Sequence, residues 1–242
     1  MKLFKSLLWT SLITSCLVYA SASALIDAAK KSDFKGVKAA LSAGEDINVV
    51  GEGGAQALMW VAKNNAPEIV DYLLSQGANV NAQDDAGYSA LIYASNEGNV
   101  KVAISLIGHK ADVNIKTKNE NTPLIIAVQH GQFNIVRLLI DKGAKVDMTD
   151  GGGYTPLMYA AQEENVKEVK ISEYLIKKGA NINAKDDEGY TVLMAASEIG
   201  HVKIVELLLK NGADKSLKDV DGLSALDYAS EEEHIKVEAL LK

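Results

Sequence analysis

The sequence predicts an all-α repeat solenoid that contains about seven copies of one helix-turn-helix unit. Three observations indicate this fold: a leucine returns at a nearly constant interval, glycines end the helices in the same register, and a polar loop residue follows the second glycine of each unit. Residues 121–147 show the unit most completely. That stretch contains the two helices and the loop that the other copies repeat.

The first helix of the unit has clear start and stop signals. Thr122 can cap it with its hydroxyl, and Pro123 falls at the first helical position, where the missing N–H costs no hydrogen bond. Leu124 and Val128 follow at helical spacing and predict an apolar stripe. Gly131 permits the positive φ that ends this helix and turns the chain back.

The second helix has its own apolar face and stop signal. Ile135 and Leu139 recur at helical spacing, Gly143 follows the last turn, and residues 144–147 lead into an extended polar segment. Two helices of about 10 residues cannot bury enough apolar surface to offset the loss of chain entropy. The unit therefore needs stacked copies of itself.

Three columns of residues place seven copies in register. The leucine of the first helix stands at Leu25, Leu58, Leu91, Leu124, Leu157, Leu193 and Leu226, spaced by 33 residues except for one interval of 36. The glycine after the second helix stands at Gly44, Gly77, Gly143, Gly179 and Gly212, and Lys110 replaces it once. The polar loop position stands at Asn48, Asn81, Asn114, Asp147, Asn183 and Ser216. The interval of 36 predicts three extra residues within 163–170, in a surface turn between the two helices of the fifth copy.

The 33-residue period, the Thr122-Pro123-Leu124 start, the glycine–alanine pair and the terminal asparagine resemble the ankyrin repeat over residues 25–242. The resemblance implies paired antiparallel helices stacked side by side, β-hairpin-like fingers between copies, and a curved solenoid with a concave binding face. The fingers would fall at 49–55, 82–88, 115–121, 148–154, 184–190 and 217–223. We expect one ankyrin-repeat domain over 25–242, with an N-terminal cap repeat at 25–48, internal repeats at 49–216 and a C-terminal cap repeat at 217–242.

Departures from the family pattern affect the contacts between copies. The family usually has a histidine after Thr-Pro-Leu, and this chain has Met59, Ile92, Ile125, Met158, Met194 and Asp227 there. We therefore expect these contacts to be more apolar and less hydrogen-bonded than usual. Lys110, and the Gln56-Ala57 start that lacks both the capping hydroxyl and the proline, are the predicted weak points.

Residues 1–24 have the layout of a secretory signal peptide. Lys2 and Lys5 precede an apolar run over 7–18, and small residues follow over 20–24. We expect cleavage after Ala22 or Ala24 and a periplasmic or secreted protein. The apolar run of about 12 residues is shorter than the roughly 20 that a membrane-spanning helix needs, so no membrane span is expected.

Cys16 offers an alternative to simple cleavage. Residues 13–16 resemble the lipobox of bacterial lipoproteins, in which the cysteine is lipidated and becomes the new N-terminus. Lipidation at Cys16 would make the protein a membrane-anchored lipoprotein. Cleavage after Ala24 would instead remove the single cysteine of the chain and leave no thiol chemistry.

The charge of the chain disfavours nucleic acid as a partner. The sequence has 25 Lys and Arg against 32 Asp and Glu, a net charge of −7, and loss of Lys2 and Lys5 would make it 23 − 32 = −9. Phosphate backbones require a basic surface. A protein partner, and a basic one if charge contributes, is the expectation.

Two aromatic columns and an acidic edge are the candidate binding surface. Tyr88, Tyr154 and Tyr190 follow the finger glycines, and Trp60, Tyr93, Ile126, Tyr159, Ala195 and Tyr228 occupy one column of the first helices. Tyrosine and tryptophan suit protein interfaces, although the helix column also fits packing between helices. The remaining candidates are finger carboxylates and residues at the ends of the first helices, namely Asp85, Asp187, Glu188, Asn96, Glu97, Gln129, His130, Gln162 and Glu163. We expect that changing all three finger tyrosines to alanine abolishes partner binding and leaves the melting transition nearly unchanged.

The leading aspartate of each finger has a structural interpretation. In the family this residue accepts backbone hydrogen bonds, and the resemblance implies that role for Asp84, Asp150, Asp186 and Asp219. No finger supplies the ligand spacing of a calcium loop, so no metal is expected. The four histidines stand in helix-turn positions of different copies, and no catalytic motif is present, so we expect neither catalysis nor a cofactor.

These observations indicate a non-catalytic, monomeric protein-interaction module that is exported from the cytoplasm and binds through its concave face. One alternative is a cognate inhibitor or immunity factor of a secreted or periplasmic enzyme, which an acidic face would suit if that enzyme is basic. Another is a stress-protective or scaffolding protein that supports an envelope enzyme. The sequence does not choose among these roles.

Overall fold

The computed structural model describes residues 24–162 and 166–242, without the side chains of 166–168. The predicted signal peptide with Cys16, and the candidate residue Glu163, lie outside the described residues. The chain forms two compact units. Unit 1 runs to Ala94 and includes Lys101–Asp112, and unit 2 consists of Ser95–Val100 and Val113–Lys242.

Both units are built from short paired α-helices. Unit 1 contains α1 (24–30), α2 (Phe34–Ser42), α3 (Ala57–Lys63), α4 (Pro67–Ser75), the first part of α5 (Ala90–Glu97) and most of α6 (Val100–Gly108). Unit 2 contains the remainder of α5 and α6, with α7 (Pro123–Gln129), α8 (Phe133–Asp141), α9 (Pro156–Ala161), α10 (Val166–Lys177), α11 (Val192–Glu198), α12 (Val202–Lys210), α13 (Ala225–Glu231) and α14 (Ile235–Leu241). No helix within 24–162 or 166–242 combines the length and the apolar character that crossing a bilayer requires. This all-α repeat architecture confirms the predicted fold class.

The first helices begin at hydroxyl caps, as predicted. The Thr122 hydroxyl accepts a hydrogen bond from the Ile125 N–H at 3.2 Å, with Pro123 at the first helical position. Thr155 caps α9 in the same way by accepting from the Met158 N–H at 3.3 Å. The Met158 sulfur in turn accepts the Thr155 N–H at 3.4 Å. A methionine thus closes the capping turn at the position where the family usually has histidine.

The repeated leucines form the centre of the core. Leu25, Leu58, Leu91, Leu124, Leu157 and Leu193 are buried, and Leu226 in the last copy is half-buried. Small residues beside them, such as Ala127 and Ala160, are fully buried and let neighbouring helices approach closely. The column that predicted the register is therefore also the column that packs the helix pairs together.

Among the described residues, five non-glycine residues occupy glycine positions of the repeat in the left-handed region, namely Ser32, Asn65, Lys110, Glu120 and Glu233. Lys110 follows a second helix, and Glu120 lies in a finger. Lys110 has φ of 68°, where Gly143 and Gly179 have 94° and 90°. Glu120 has φ of 61° at the finger position where Gly153 has 82°. A residue with a Cβ is sterically strained in this region. The turns at Lys110 and Glu120 are therefore less stable than the equivalent turns that contain glycine.

The three extra residues of the fifth copy correct the predicted loop insertion. α10 has 12 residues, whereas α8 and α12 have nine each. In the repeat register Val169 is equivalent to Phe133, and α10 begins three residues earlier, at Val166. The extra residues extend an existing helix because each added residue gains an intrahelical hydrogen bond.

Three of the fingers are tight turns that are each closed by a single antiparallel bridge. Gln83 pairs with Ser89, Lys185 with Thr191 and Lys218 with Ser224. Neighbouring tips also bond edge to edge, from the Asp85 N–H to the Gly53 carbonyl at 2.9 Å in unit 1 and from the Asp187 N–H to the Gly152 carbonyl at 3.3 Å in unit 2. A Cβ on Gly153 would lie 2.8 Å from the Asp187 nitrogen, so the glycine permits this close approach.

The polar loop position forms a ladder between successive copies. In unit 1 the side-chain oxygens of Asn48 and Asn81 accept the N–H groups of Asn79 and Asp112, each at 2.8 Å. In unit 2 Asn114, Asp147 and Asn183 accept from Lys145, Asn181 and Asp214 at 2.9, 3.0 and 2.9 Å. The amide nitrogens of Asn81, Asn114 and Asn183 also donate to the carbonyls of Lys110, Gly143 and Gly212 at 3.4, 3.5 and 3.2 Å. This column therefore supplies hydrogen bonds between copies.

Candidate partner-binding site

The leading aspartates of the fingers are structural, as the resemblance implied. One oxygen of Asp84 accepts the N–H groups of Ala86 and Tyr88 at 2.9 and 2.8 Å. Asp150, Asp186 and Asp219 each accept two backbone N–H groups in the same geometry, at 2.8 to 3.0 Å. These bonds hold each turn closed, because a carboxylate can satisfy two donors that face the same side.

The second oxygen of three of these aspartates ties the finger to a first helix. The hydroxyls of Tyr93, Tyr159 and Tyr228 donate to Asp84, Asp150 and Asp219 at 2.6, 2.5 and 2.6 Å. Burial, followed by the bond to the aspartate, raises the pKa of Tyr93 and of Tyr159. For Tyr228 the bond to Asp219 is the larger cause of the raised pKa, and the same bond lowers the pKa of Asp219. The tyrosines of the helix column therefore have a structural role.

The finger tyrosines pack against the tyrosines of the helix column. The ring centroids of Tyr88 and Tyr93 lie 5.4 Å apart in unit 1, and those of Tyr154 and Tyr159 lie 5.6 Å apart in unit 2. Tyr88 and Tyr154 are half-buried, so each keeps part of its ring open to solvent. The two aromatic columns of the sequence are thus brought together as pairs.

Tyr190 departs from this pattern. Its exposed fraction is 9%, its ring meets Tyr228 of the next copy edge-on at 5.2 Å, and its hydroxyl donates to the Glu198 carboxylate. Burial, followed by the bond to Glu198, raises the pKa of Tyr190. This burial argues against the expectation that all three finger tyrosines can be changed to alanine with the melting transition nearly unchanged, because the Tyr190 ring belongs to the core. Ala195, which stands in the helix column where other copies have tyrosine, is the sequence signal that marks this copy as different.

Unit 2 has a concentration of negative charge around the half-buried ring of Tyr154. Burial is the largest cause of the raised pKa of Tyr154, and the charges of Asp186, Glu188, Glu198 and Asp150 raise it further. Glu188 and Glu198 are exposed, as is the predicted site residue Asp187. An aromatic surface flanked by exposed carboxylates can accept a cationic side chain.

The candidates at the ends of the first helices contact one another only in part. The Asn96 amide donates to the Glu97 carboxylate at 3.1 Å, and Gln129 hydrogen-bonds with the Tyr159 hydroxyl. His130 is exposed, and its ring nitrogen Nδ1 hydrogen-bonds with the Ile126 carbonyl oxygen at 3.0 Å. Gln162 is half-buried at the end of α9. In unit 1, Asp85 is exposed at the tip of its finger, and its N–H donates to the Gly53 carbonyl.

The histidines are placed by the helix turns. A ring nitrogen hydrogen-bonds with a backbone carbonyl at 2.9 to 3.0 Å in His109, His130 and His234. His201 is buried at the start of α12. Within 24–162 and 166–242, no group of three or more His, Cys, Asp or Glu side chains is arranged to hold a metal ion. Each histidine therefore has a position that the repeat explains.

Comparisons with known proteins agree with the geometry. The family model for ankyrin repeats (3 copies) matches residues 25–117, 104–186 and 168–242. The ankyrin repeat domain of human ASB11 is similar at 24% sequence identity, with 90% of this chain and 95% of that chain covered and a TM-score of 0.78. The ankyrin repeat domain of Bcl-3, a member of the IkappaB protein family, is similar at 25% identity, with coverages of 90% and 97% and a TM-score of 0.79. No curated protein sequence matches the chain significantly.

The family model accounts for the chain from residue 25 to its last residue, and the two ankyrin repeat domains match it over nearly their whole lengths. Ankyrin repeats are protein–protein interaction modules. The chain belongs to the ankyrin repeat family.

Proposed function

We propose that the protein is an exported, non-catalytic interaction module that binds a basic protein partner. The binding surface is the finger side of unit 2, which consists of Tyr154, Asp187 and Glu188. The observation that carries this proposal is the half-buried Tyr154 ring, whose pKa is raised by burial and by four surrounding carboxylates. A Lys or Arg side chain of a partner can lie on that ring and pair with the exposed Glu188.

The charge of the whole chain favours the same kind of partner. A net charge of −7 attracts basic proteins over the Debye length and raises their association rate. Asp187 and Glu188 are exposed at a finger tip, and none of the side chains that the structure describes forms a salt bridge with either. Their carboxylates are therefore available for pairing, unlike that of Asp186, which holds the finger turn.

Affinity capture from an envelope extract tests the proposal, with the chain from Leu25 onward as bait. We expect a protein that is retained at about 50 mM NaCl, released by about 500 mM NaCl, and lost with the double variant Asp187→Asn/Glu188→Gln. The control is Glu231→Gln/Glu232→Gln, which removes the same charge from the exposed C-terminal end and should retain the protein. Capture that both variants lose equally, or that resists salt, would contradict this site.

The acidic finger side also supports a more specific role, as a cognate inhibitor or immunity factor of a basic exported enzyme. A captured enzyme distinguishes the roles. Inhibition at equimolar chain, abolished by Asp187→Asn/Glu188→Gln, supports the inhibitor role. Unchanged turnover with improved resistance to heat supports a scaffolding or protective role.

Export rests on the sequence of residues 1–24. Mass spectrometry of the mature N-terminus separates the outcomes: a free amine at Ser23 or Leu25 supports cleavage, and a diacylglyceryl group on Cys16 supports a membrane-anchored lipoprotein. An intact Met1 in an envelope preparation would contradict both.

A further inference from the structure

The second helices α8 and α10 of unit 2 form a groove. None of the residues that line it belongs to the proposed finger-side site. Its cavity has a volume of about 530 Å³. Phe133 and Tyr174 form an aromatic pair at the base, with ring centroids 5.7 Å apart and planes at 78°. Both residues are half-buried, so part of each remains open to solvent, and Lys178 Nζ lies 5.2 Å from the centroid of the Tyr174 ring.

Four cations surround this aromatic pair. Lys170 Nζ lies 4.2 Å from the centroid of the Phe133 ring, and Lys178 Nζ lies 2.8 Å from the Asp141 carboxylate. Arg137 and Lys177 are exposed, and no described residue forms a salt bridge with either. The groove is lined by four cationic side chains and one carboxylate, so basic residues predominate there. In the whole chain acidic residues predominate, with 32 acidic and 25 basic residues.

Unit 1 contains the same aromatic pair without the same charge, which shows what packing alone requires. Phe34 and Tyr72 stand at the equivalent positions, with centroids 5.4 Å apart and planes at 67°, and Lys38 lies over Phe34 at 4.1 Å. The positions equivalent to Lys170, Lys177 and Lys178 hold Glu68, Ser75 and Gln76. The aromatic pair therefore packs without these three lysines, and their accumulation at α10 needs another explanation.

The spacing of the cations limits what the groove can hold. Lys170 and Lys177 are seven residues apart on α10, which places their backbones about 11 Å apart along the helix axis. An extended peptide advances about 3.3 Å per residue and turns side chains of even separation to the same face, so carboxylates four residues apart span about 13 Å and can both face the groove. An apolar side chain midway between those carboxylates lies on the same face and would meet the Phe133 and Tyr174 rings.

We propose that this groove binds an extended acidic segment of a protein partner, with two carboxylates four residues apart and an apolar residue midway between them. The cations at the two ends of the groove pair with the carboxylates, and the rings contact the apolar side chain between them. A single inorganic anion would satisfy one end only and would leave the rings uncovered. The groove is thus an interaction surface for a partner opposite in charge to the one that the finger side suits.

Fluorescence anisotropy tests this proposal with the full chain from Leu25 onward and a labelled peptide, Gly-Glu-Leu-Phe-Leu-Glu-Gly. We expect saturable binding that weakens with salt and falls at least about tenfold in the variant Arg137→Gln/Lys177→Ser, whose exposed side chains the fold does not need. The matched control, Lys203→Gln/Lys210→Ser on α12, removes two exposed cations elsewhere and should bind with unchanged affinity. A peptide with glutamine in place of both glutamates should bind at least about tenfold more weakly.

Three results would overturn the proposal. The first is no change in anisotropy at millimolar peptide, and the second is equal loss of binding in the groove variant and the control. The third is displacement of the peptide by inorganic phosphate, at matched ionic strength, as effectively as by unlabelled peptide, because the groove would then be a general anion site. Concentration-dependent dimerisation that Arg137→Gln/Lys177→Ser removes would likewise assign the groove to a second copy of this chain.

Discussion

Lys110 shows how one residue can weaken a repeat whose pattern is otherwise kept. The turn after the second helix needs φ near 90°, as in Gly44 and Gly179, and Lys110 adopts 68° there. A residue with a Cβ is strained in this region, whereas glycine adopts it freely. The sequence predicted this weak point from the glycine column alone, and the backbone dihedral supports the reason.

We expect Lys110→Gly to raise the free energy of unfolding by about 0.5–1 kcal/mol, since the relief of strain exceeds the extra entropy of glycine in the unfolded chain. Urea denaturation followed by circular dichroism measures this change. Lys142→Gly is the matched control, because Lys142 has φ of −100° and no such strain, so that variant should lose stability. Equal losses in the two variants would show that the strain at Lys110 is negligible.

The environment of Tyr190, unlike the local strain at Lys110, depends on Tyr228 in the next copy. We expect Tyr190→Ala to lower the free energy of unfolding by about 3 kcal/mol, or the melting temperature by about 6–12 °C, as the ring is buried against Tyr228. Tyr190→Phe keeps the ring and loses only the bond to Glu198, for about 1 kcal/mol. Calorimetry of both variants checks the order, and a melting transition unchanged by Tyr190→Ala would disprove the burial.

The contrast between these residues shows what could be predicted from the sequence. Backbone requirements such as those of Thr122, Pro123 and Gly143 are local, so a single copy predicts them. The burial of Tyr190 and the cations beside Phe133 depend on how side chains from adjacent copies meet. An alignment of the copies does not specify those contacts, because each depends on the distance between side chains that belong to two different copies.

At the level of the elements, the polar loop ladder has a step at Asp147 whose side chain cannot donate a hydrogen bond. Asn81, Asn114 and Asn183 use the amide oxygen and nitrogen at once, accepting from one loop and donating to a carbonyl. Asp147 accepts the Asn181 N–H at 3.0 Å, but a carboxylate has no hydrogen to donate to the equivalent Gly179 carbonyl.

We therefore expect Asp147→Asn to stabilise the chain by about 0.5–1 kcal/mol, by adding the missing donor. The reverse change, Asn183→Asp, should remove a donor that now bonds the Gly212 carbonyl at 3.2 Å and should cost a similar amount. Urea midpoints of the two variants measure the effects. If both changes shift the midpoint in the same direction, general charge and not the ladder governs this position.

The links between fingers and helices predict how stability responds to alkaline pH. The pKa values of Tyr93, Tyr154, Tyr159, Tyr190 and Tyr228 are raised in the folded chain, with burial as the first cause for all but Tyr228, where the bond to Asp219 comes first. A raised pKa means that folding favours the neutral phenol. Its contribution is fully present below the unfolded value of about 10 and is lost as the pH rises above it.

We expect the urea midpoint to be steady up to about pH 9.5 and to fall above pH 10. The slope is at most about 1.4 kcal/mol per pH unit for each tyrosine, and less for half-exposed rings that solvent screens. Tyrosinate absorbance should rise together with the loss of helical circular dichroism. Tyr93→Phe combined with Tyr159→Phe should make the slope shallower, and a slope unchanged by both substitutions would assign the alkaline transition to other groups.

At the level of the whole molecule, the fold could be predicted because each copy contacts only its neighbours, so a period and a register are sufficient. Partner chemistry could not be predicted in the same way. The chain carries a net charge of −7, yet α8 and α10 gather cations while the finger side of unit 2 gathers carboxylates. The average charge therefore describes neither surface.

The first copy contains a contact that cleavage of the predicted signal peptide would alter. The Leu25 nitrogen donates to the Glu45 carboxylate at 3.1 Å, and Leu25 is the residue that would become the N-terminus after cleavage behind Ala24. Cleavage there would convert a neutral N–H into an ammonium group at neutral pH. The existing hydrogen bond would then become an ion pair, at a helix N-terminus that already attracts negative charge.

We expect Glu45→Gln to lower the free energy of unfolding by about 0.5–1 kcal/mol in a chain that begins at Leu25 with a free amine, and by less when that amine is acetylated. Thermal denaturation of the four combinations gives the coupling between the ammonium and the carboxylate. The coupling should shrink in high salt, since the pair is near the surface. An equal loss in the free and acetylated chains would mean that Glu45 acts on Leu25 as a neutral cap, and that cleavage behind Ala24 adds nothing to the stability of the first copy.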